Sequence, residues 1–253
     1  MDETLKPLKW YRSLSDGKGR QQAQAFIVEG SRAIRQIIST HGDEILEILT
    51  VGEPPLEYSS YPLRQITQTQ MQYVSNNQTP PGALAVVKMP LAVYSTSLSE
   101  KPGDKILLLE DIQDPGNVGT LIRTAAAFGF SGVILTDKCA DPFSPKCVQS
   151  SAGTVLSIWL RRTAGYLEIA EHLKRDAYFL VEADLRGEED VSILKTREKM
   201  ILALGNEGAG LSARLLAMAD FLLRIPIDSS SAESLNVAAC GAICMYISSK
   251  RSG

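Results

Sequence analysis

Apolar residues follow two regimes along the chain. Up to Pro90 they come in separated runs. "AFIVEG" reads as a short strand before Glu29-Gly30, and "SRAIRQIIST" then spaces Ile34, Ile37 and Ile38 along one helical face. "EILEILTV" is a second strand, and "PGALAVVKM" a third, whose almost unbroken apolar run predicts burial on both sides. After Asp104 the pattern becomes an alternation. The strands are "KILLLE", "GVILT", "TVLSIWL", "YFLVEA", "MILAL" and "DFLLRIP"; helices are expected over 117–128, near 145–152, over 165–175 and over 235–249. Such alternation argues for an α/β fold with a parallel sheet covered on both faces. Between the regimes, "PLAVYSTSLSEKPGD" turns to Ser, Thr, Pro and Gly. The expected division is a smaller N-terminal α/β domain over 1–90, a linker over 91–104 and a larger domain over 105–253.

Composition narrows the class more than the chemistry. At 253 residues, 44% hydrophobic and 22% charged, the chain can bury a substantial core. A net charge of −3 gives no global argument for nucleic acid. The N-terminal segment nevertheless carries Lys6, Lys9, Arg12, Lys18, Arg20, Arg32 and Arg35 against Asp2, Glu3, Asp16 and Glu29, either a solvated face or an RNA contact. The 4 cysteines form no C-x-x-C pair, and Cys240 and Cys244 share one face of an apolar helical pattern. The 2 histidines, His41 and His172, lack ligand spacing, so no metal site is expected. No apolar run is long enough to span a membrane and no secretory segment opens the chain, so the expected compartment is reducing and cytoplasmic.

Three stretches break the strand-helix alternation. "LLLEDIQDPGNVGTLIRTAAAFGF", residues 107–130, places Glu110, Asp111, Asp114 and Asn117 between a strand and a helix. Asn117 reads as an N-cap, and Arg123 as a charge among Leu121, Ile122, Ala125, Ala126 and Ala127 that needs a partner or a ligand. "LALGNEGAGLS", residues 202–212, has its glycines in the order G-x-x-G-x-G, the reverse of a dinucleotide fingerprint, and no P-loop occurs anywhere. A turn carrying Asn206 and Glu207 at the carboxyl end of a strand is still where open α/β sheets bind ligands. "RIPIDSSSAESLNVAACGAICMYISS", residues 224–249, runs from a strand through a polar loop into a helix rich in Ala, Gly and Cys. Its start reads as Ser-capped, and its small residues permit close backbone approach.

In this order and spacing the three stretches resemble the signature motifs of the SpoU (TrmH-like) family of RNA ribose 2′-O-methyltransferases, in the SPOUT class. The resemblance implies a C-terminal domain tied into a trefoil knot, a homodimer, S-adenosyl-L-methionine as cofactor and no metal. "AFIVEGSRAIRQII" and "TPPGALAVVK" resemble the small N-terminal RNA-binding domain that many members carry. By this resemblance Asn117, Arg123, Glu207, Ser234 and Asn236 are the catalytic-site residues, and Leu204, Gly205, Ile225 and Leu235 contact the cofactor. The loop between Pro226 and Ser234 reads one residue longer than the family pattern, with serines where glycine is common.

The residue types suit methyl transfer. A sulfonium donor loses its positive charge in the displacement, so it needs positioning rather than an acid or a metal. The 2′-hydroxyl must lose a proton, and a guanidinium is a strange base. Either an RNA phosphate and Glu207 perturb Arg123, or Arg123 orients the hydroxyl and a phosphate. The terminal helix is expected to pack against a second copy. An N-terminal domain ahead of the catalytic one favours ribosomal RNA over tRNA as substrate; an antibiotic-resistance methylase is a narrower variant. A non-catalytic RNA-binding module is disfavoured by the presence of Asn117, Arg123 and Glu207, and a nicotinamide enzyme by the glycine spacing.

Overall fold

The computed structural model describes residues 6–228, 230–231 and 233–249. The loop read as one residue too long thus includes Ser229 and Ala232, which lie outside the described residues. The chain forms two compact units: residues 1–91 with 141–156, and residues 92–140 with 157–253.

In the first unit, helices α1 (Leu8–Ser13) and α2 (Gly17–Ala23) precede β1 (Ala25–Glu29), α3 (Ser31–His41), β2 (Ile45–Thr50), β3 (Leu63–Gln65), α4 (Gln68–Val74) and β4 (Ala83–Lys88). The sheet order is β1-β4-β2-β3. β4 runs antiparallel to both neighbours, while β3 lies parallel to β2. β4 is buried from Ala83 to Val87, as its unbroken apolar run requires. Tyr11 and Leu14 pack with Leu49, Met71, Val74 and Val86. The elements the hydrophobic pattern did not announce, α1, α2, α4 and β3, are too short to show a period. Local hydrogen bonds define two of them: Asp16 accepts from the Gly19 N–H, and Thr67 with Gln70 closes a capping box.

The second unit starts with β5 (Lys105–Leu109), α5 (Pro115–Ala127) and β6 (Gly132–Leu135). The next helix, α6 (Pro145–Ser151), lies within 141–156 and so belongs to the first unit, although the sequence pattern groups it with the C-terminal strands. Phe143 stacks on Phe26 at 4.8 Å, buried Arg20 is ion-paired with Asp141, and Gln149 donates to Asn77. "TVLSIWL" is not one strand: Thr154–Leu156 form a 3-10 turn. The second unit continues with β7 (Trp159–Arg162), α7 (Tyr166–Arg175), β8 (Phe179–Glu188), α8 (Ile193–Thr196), β9 (Met200–Leu204), α9 (Ala213–Leu216), β10 (Phe221–Leu223) and α10 (Val237–Ser249).

Its sheet has the order β10-β8-β9-β5-β6-β7, parallel throughout. One face packs Ile106, Leu108, Ile201 and Ala203 against Leu173 of α7 and Leu215 of α9. α10 packs on α5 and α8. A Cβ on Gly241 would sit 2.5 Å from Leu121 Cδ2 and 2.7 Å from Leu204 Cδ1, so the small residue is needed within the chain itself. A Schellman closure ends α5: Gly129 takes φ +76°, and the Phe130 N–H donates to the Ala125 carbonyl at 2.9 Å. No described helix is long and apolar enough to cross a membrane.

β8 carries one buried charge. Glu182 is 0% exposed, and neither carboxylate oxygen has a hydrogen-bond partner among the described residues. Burial first, then the charges of Glu110 and Asp184, push its pKa from 4.5 up to about 7. The folded chain thus keeps a proton that the unfolded chain has released, and stability falls as pH rises between those values. At about 1.4 kcal/mol per unit the loss amounts to about 3 kcal/mol. Glu182→Gln should therefore gain stability over the parent chain by up to about that amount at pH 8 relative to pH 4.5, measured by urea unfolding. An identical difference at both pH values would show that Glu182 does not titrate in this window.

Candidate active site

The candidate residues gather at the carboxyl ends of β5, β9 and β10, where parallel sheets present their loops to ligands. At the first turn the helix cap is Asp114, not Asn117. Asp114 accepts the Asn117 N–H at 2.7 Å, and Pro115 occupies the first helical position. The Asn117 side chain is thereby free for other contacts. Its Nδ2 donates to Glu207 Oε1 at 2.8 Å, and its Oδ1 accepts from Asn236 Nδ2 at 3.2 Å.

The second turn closes on itself. Asn206 and Gly210 exchange backbone hydrogen bonds of 3.1 and 2.9 Å, and Asn206 Oδ1 accepts the N–H groups of Gly208 and Ala209. A Cβ on Gly205 would stand 2.4 Å from the Gly210 carbonyl carbon, and Gly210 itself takes φ +69°. These glycines serve turn closure. Beyond the turn, Ser212 caps α9, and its N–H donates to Glu110 Oε2 at 2.6 Å. Buried Glu110 also accepts the Tyr166 hydroxyl at 2.5 Å; burial and this bond push the phenol up to about 12.

The third stretch ends in a cap, supplied by Asn236 rather than by Ser234. Asn236 Oδ1 accepts the N–H groups of Ala238 and Ala239 at 2.9 and 3.3 Å. One amide thus starts α10 with its oxygen and reaches Asn117 with its nitrogen.

Beside this chain of side chains lies a cleft of 590 Å³, within the about 300–1,000 Å³ usual for small-molecule sites. Leu204, Gly205, Glu207, Ile225, Ser234 and Leu235 all line it. Its walls are apolar side chains and peptide-rich turn, and Leu235 is left 36% exposed. Asp184 and Arg186 also line it as a bidentate pair with bonds of 2.7 and 2.8 Å, which holds the Asp184 carboxyl below its usual range. Cys240 reaches the cleft too, and its side chain is hydrogen-bonded to the buried Cys244 one turn on, so the two share one helix face.

Arg123 stands apart. The sequence suggested a charge buried among apolar neighbours, but its side chain is exposed and makes no hydrogen bond or ion pair among the described residues. The buried face of α5 is Val118, Gly119, Leu121, Ile122 and Ala125. The structure therefore joins Asn117, Glu207 and Asn236, sets six candidates along the cleft, and leaves Arg123 facing solvent. Sequence reasoning placed Asn206 in the ligand-facing turn without giving it a role, and missed Ser212, Tyr166 and the Asp184–Arg186 pair, which have no local signal.

Residues 104–246 match the SpoU rRNA Methylase family. The chain belongs to that family. The 23S rRNA (guanosine(2553)-2'-O)-methyltransferase RlmP of Bacillus subtilis is 31% identical over 244 residues, 94% of both chains. The 23S rRNA (uridine(2479)-2'-O)-methyltransferase of Streptomyces viridochromogenes is 30% identical over 94% of this chain and 87% of its own. Among solved structures, the SpoU methyltransferase AviRb of Streptomyces viridochromogenes in complex with the cofactor AdoMet superposes with a TM-score of 0.83 at 28% identity, covering 97% of both chains. The AdoMet-bound rRNA methyltransferase of Sinorhizobium meliloti gives 0.80 at 26% identity, covering 95% of this chain and 93% of its own.

In this SpoU chain the closed glycine turn is a steric requirement with a simple test. Gly205→Ala should cost about 1–3 kcal/mol, the usual penalty of overpacking, because backbone rather than a movable side chain meets the new methyl. An unchanged urea midpoint would mean that the turn opens freely and that its closure does not hold the cleft.

Proposed function

We propose that the protein methylates a ribose 2′-hydroxyl in ribosomal RNA, with S-adenosyl-L-methionine held in the 590 Å³ cleft. The observation that carries this reading is the cleft's position beside the hydrogen-bonded set Asn117, Glu207 and Asn236. The cleft suits the cofactor chemically: Leu204, Ile225 and Leu235 offer an apolar slot for an adenine, and the adjoining glycine turn offers peptide edges. When bound, the cofactor supplies an activated methyl group on a sulfonium. The chain supplies the rest. Asn117 has both ends of its amide fixed by Glu207 and Asn236, leaving one N–H and one lone pair for the hydroxyl. Arg123 acts by charge, gripping an RNA phosphate and orienting the ribose. Glu207 is the carboxylate joined to Asn117 and takes the hydroxyl proton.

The same reading extends to the substrate and the assembly. Ribosomal RNA is favoured by relatives that match nearly the whole chain and are themselves named 23S rRNA methyltransferases. The first unit is the RNA-holding part, with Lys9, Lys18 and Arg32 exposed on it; Arg12, Arg20 and Arg35 are engaged internally. We assign the C-terminal knot that the family resemblance implies to the segment from β10, at the sheet edge, to α10, which returns to α5. On α10, Ala239, Ile243 and Tyr246 are exposed at helical spacing, and we assign this stripe to a homodimer interface.

The test is methyl transfer from labelled S-adenosyl-L-methionine to ribosomal RNA, followed by nucleoside analysis. A 2′-O-methylnucleoside supports the reading; label on a base, or none on RNA, overturns it. Arg123→Ala separates function from folding. Its single-turnover rate should fall by at least about 10²-fold, the scale of losing substrate positioning. Because the side chain is exposed and unpaired among the described residues, unfolding free energy should shift by no more than about 0.5 kcal/mol. Full activity in that variant would remove Arg123 from the mechanism.

A further inference from the structure

Asp111 follows β5 in the left-handed region, at φ +56°. Glycine takes that conformation without strain; another residue there persists only when its surroundings hold it. The surroundings of Asp111 come from the turns after two other strands. Its Oδ1 accepts the Thr136 hydroxyl at 2.7 Å, and its own N–H donates to the Thr136 oxygen at 2.9 Å. Its Oδ2 pairs with Lys138 Nζ at 3.3 Å. Its carbonyl accepts from Asn206 Nδ2 at 2.8 Å. Thr136 and Lys138 follow β6, Asn206 follows β9, and β9, β5 and β6 are adjacent in the sheet.

A route runs from this residue to the site. Asn206 uses its nitrogen on the Asp111 carbonyl and its oxygen on the Gly208 and Ala209 N–H groups, so its amide is fixed at both ends. Glu207, the next residue, reaches Asn117. If the turn after β5 needed only its backbone conformation, glycine would serve. The carboxylate is explained by what it grips.

We propose that Asp111 is a positioning residue. Held by Thr136 and Lys138, it fixes the direction of its own carbonyl, which sets Asn206, and through Asn206 the glycine turn and the Glu207 carboxylate. The consequence for methyl transfer rests on the function proposed above; the positioning of the turn does not.

Two variants of the full chain test it. Asp111→Gly removes the side-chain grip while relieving the backbone, so thermal stability should equal or exceed that of the parent. Amide hydrogen exchange across residues 205–212 of the ligand-free protein should nevertheless speed up by about tenfold or more. The single-turnover methylation rate should drop by about tenfold or more, with the KM for RNA unchanged, as expected when a reacting group is misplaced. Asp111→Asn tolerates the same φ and keeps an oxygen for Thr136, so it should restore exchange and rate to within about threefold. Parent-like exchange in the glycine variant would reduce Asp111 to a turn residue. A glycine variant less stable than the parent would assign the side chain to folding, and a fast-exchanging variant with full activity would break the link to Glu207. If the parent chain methylates no RNA, the proposed function fails while the exchange measurement still decides the role of Asp111.

Discussion

The two hydrogen bonds of the Asn117 amide, to Glu207 and to Asn236, tie together stretches that lie 90 and 119 residues apart in sequence. Everything proposed for the site depends on them. An amide that bonds only through one end can rotate; one held at both ends presents its remaining donor and acceptor in a fixed direction. Each partner is itself anchored: Asn236 by capping α10, and Glu207 by a turn whose closure leaves no room for a side chain on Gly205. The parallel sheet contributes by setting the ends of β5 and β9 side by side, with the ladder continuing to the Glu110 N–H and the Leu204 carbonyl.

Much of this was legible in the residues, and the misreadings have physical causes. The strands of the second unit show in the sequence because burial on both faces demands unbroken apolar runs, as in "MILAL" and "KILLLE". Arg123 misled because its neighbours in sequence are apolar. On a helix they are not its surroundings: Thr120, Arg123 and Ala127 share the exposed face, while Leu121, Ile122 and Ala125 point inward. The cap at Asp114 was available in principle, since proline favours the first helical position and so places the cap one residue earlier. The contacts of Asp111 and Glu110 were not available, because their partners lie 25 to 102 residues away.

The first unit carries a second lesson. A linear reading divides the chain once, whereas the fold takes residues 141–156 from between β6 and β7 and builds them into the N-terminal unit. Phe143, Cys147, Val148 and Val155 are buried there, and Gly153 sits against the Ala33 carbonyl, 2.7 Å from where a Cβ would stand. The composition shift at 90–104 marks one connection between the units; the excursion from β6 to β7 adds others that no change of composition signals.

The account stands on Asn117 and Glu207 acting as one device, and a double-mutant cycle on single-turnover methylation measures that directly. Asn117→Ala and Glu207→Ala should each slow transfer strongly. Combined, they should be hardly slower than the worse single variant, because residues that work as a unit are not additive. Rate losses that simply multiply would show that the 2.8 Å bond between them is incidental to the chemistry.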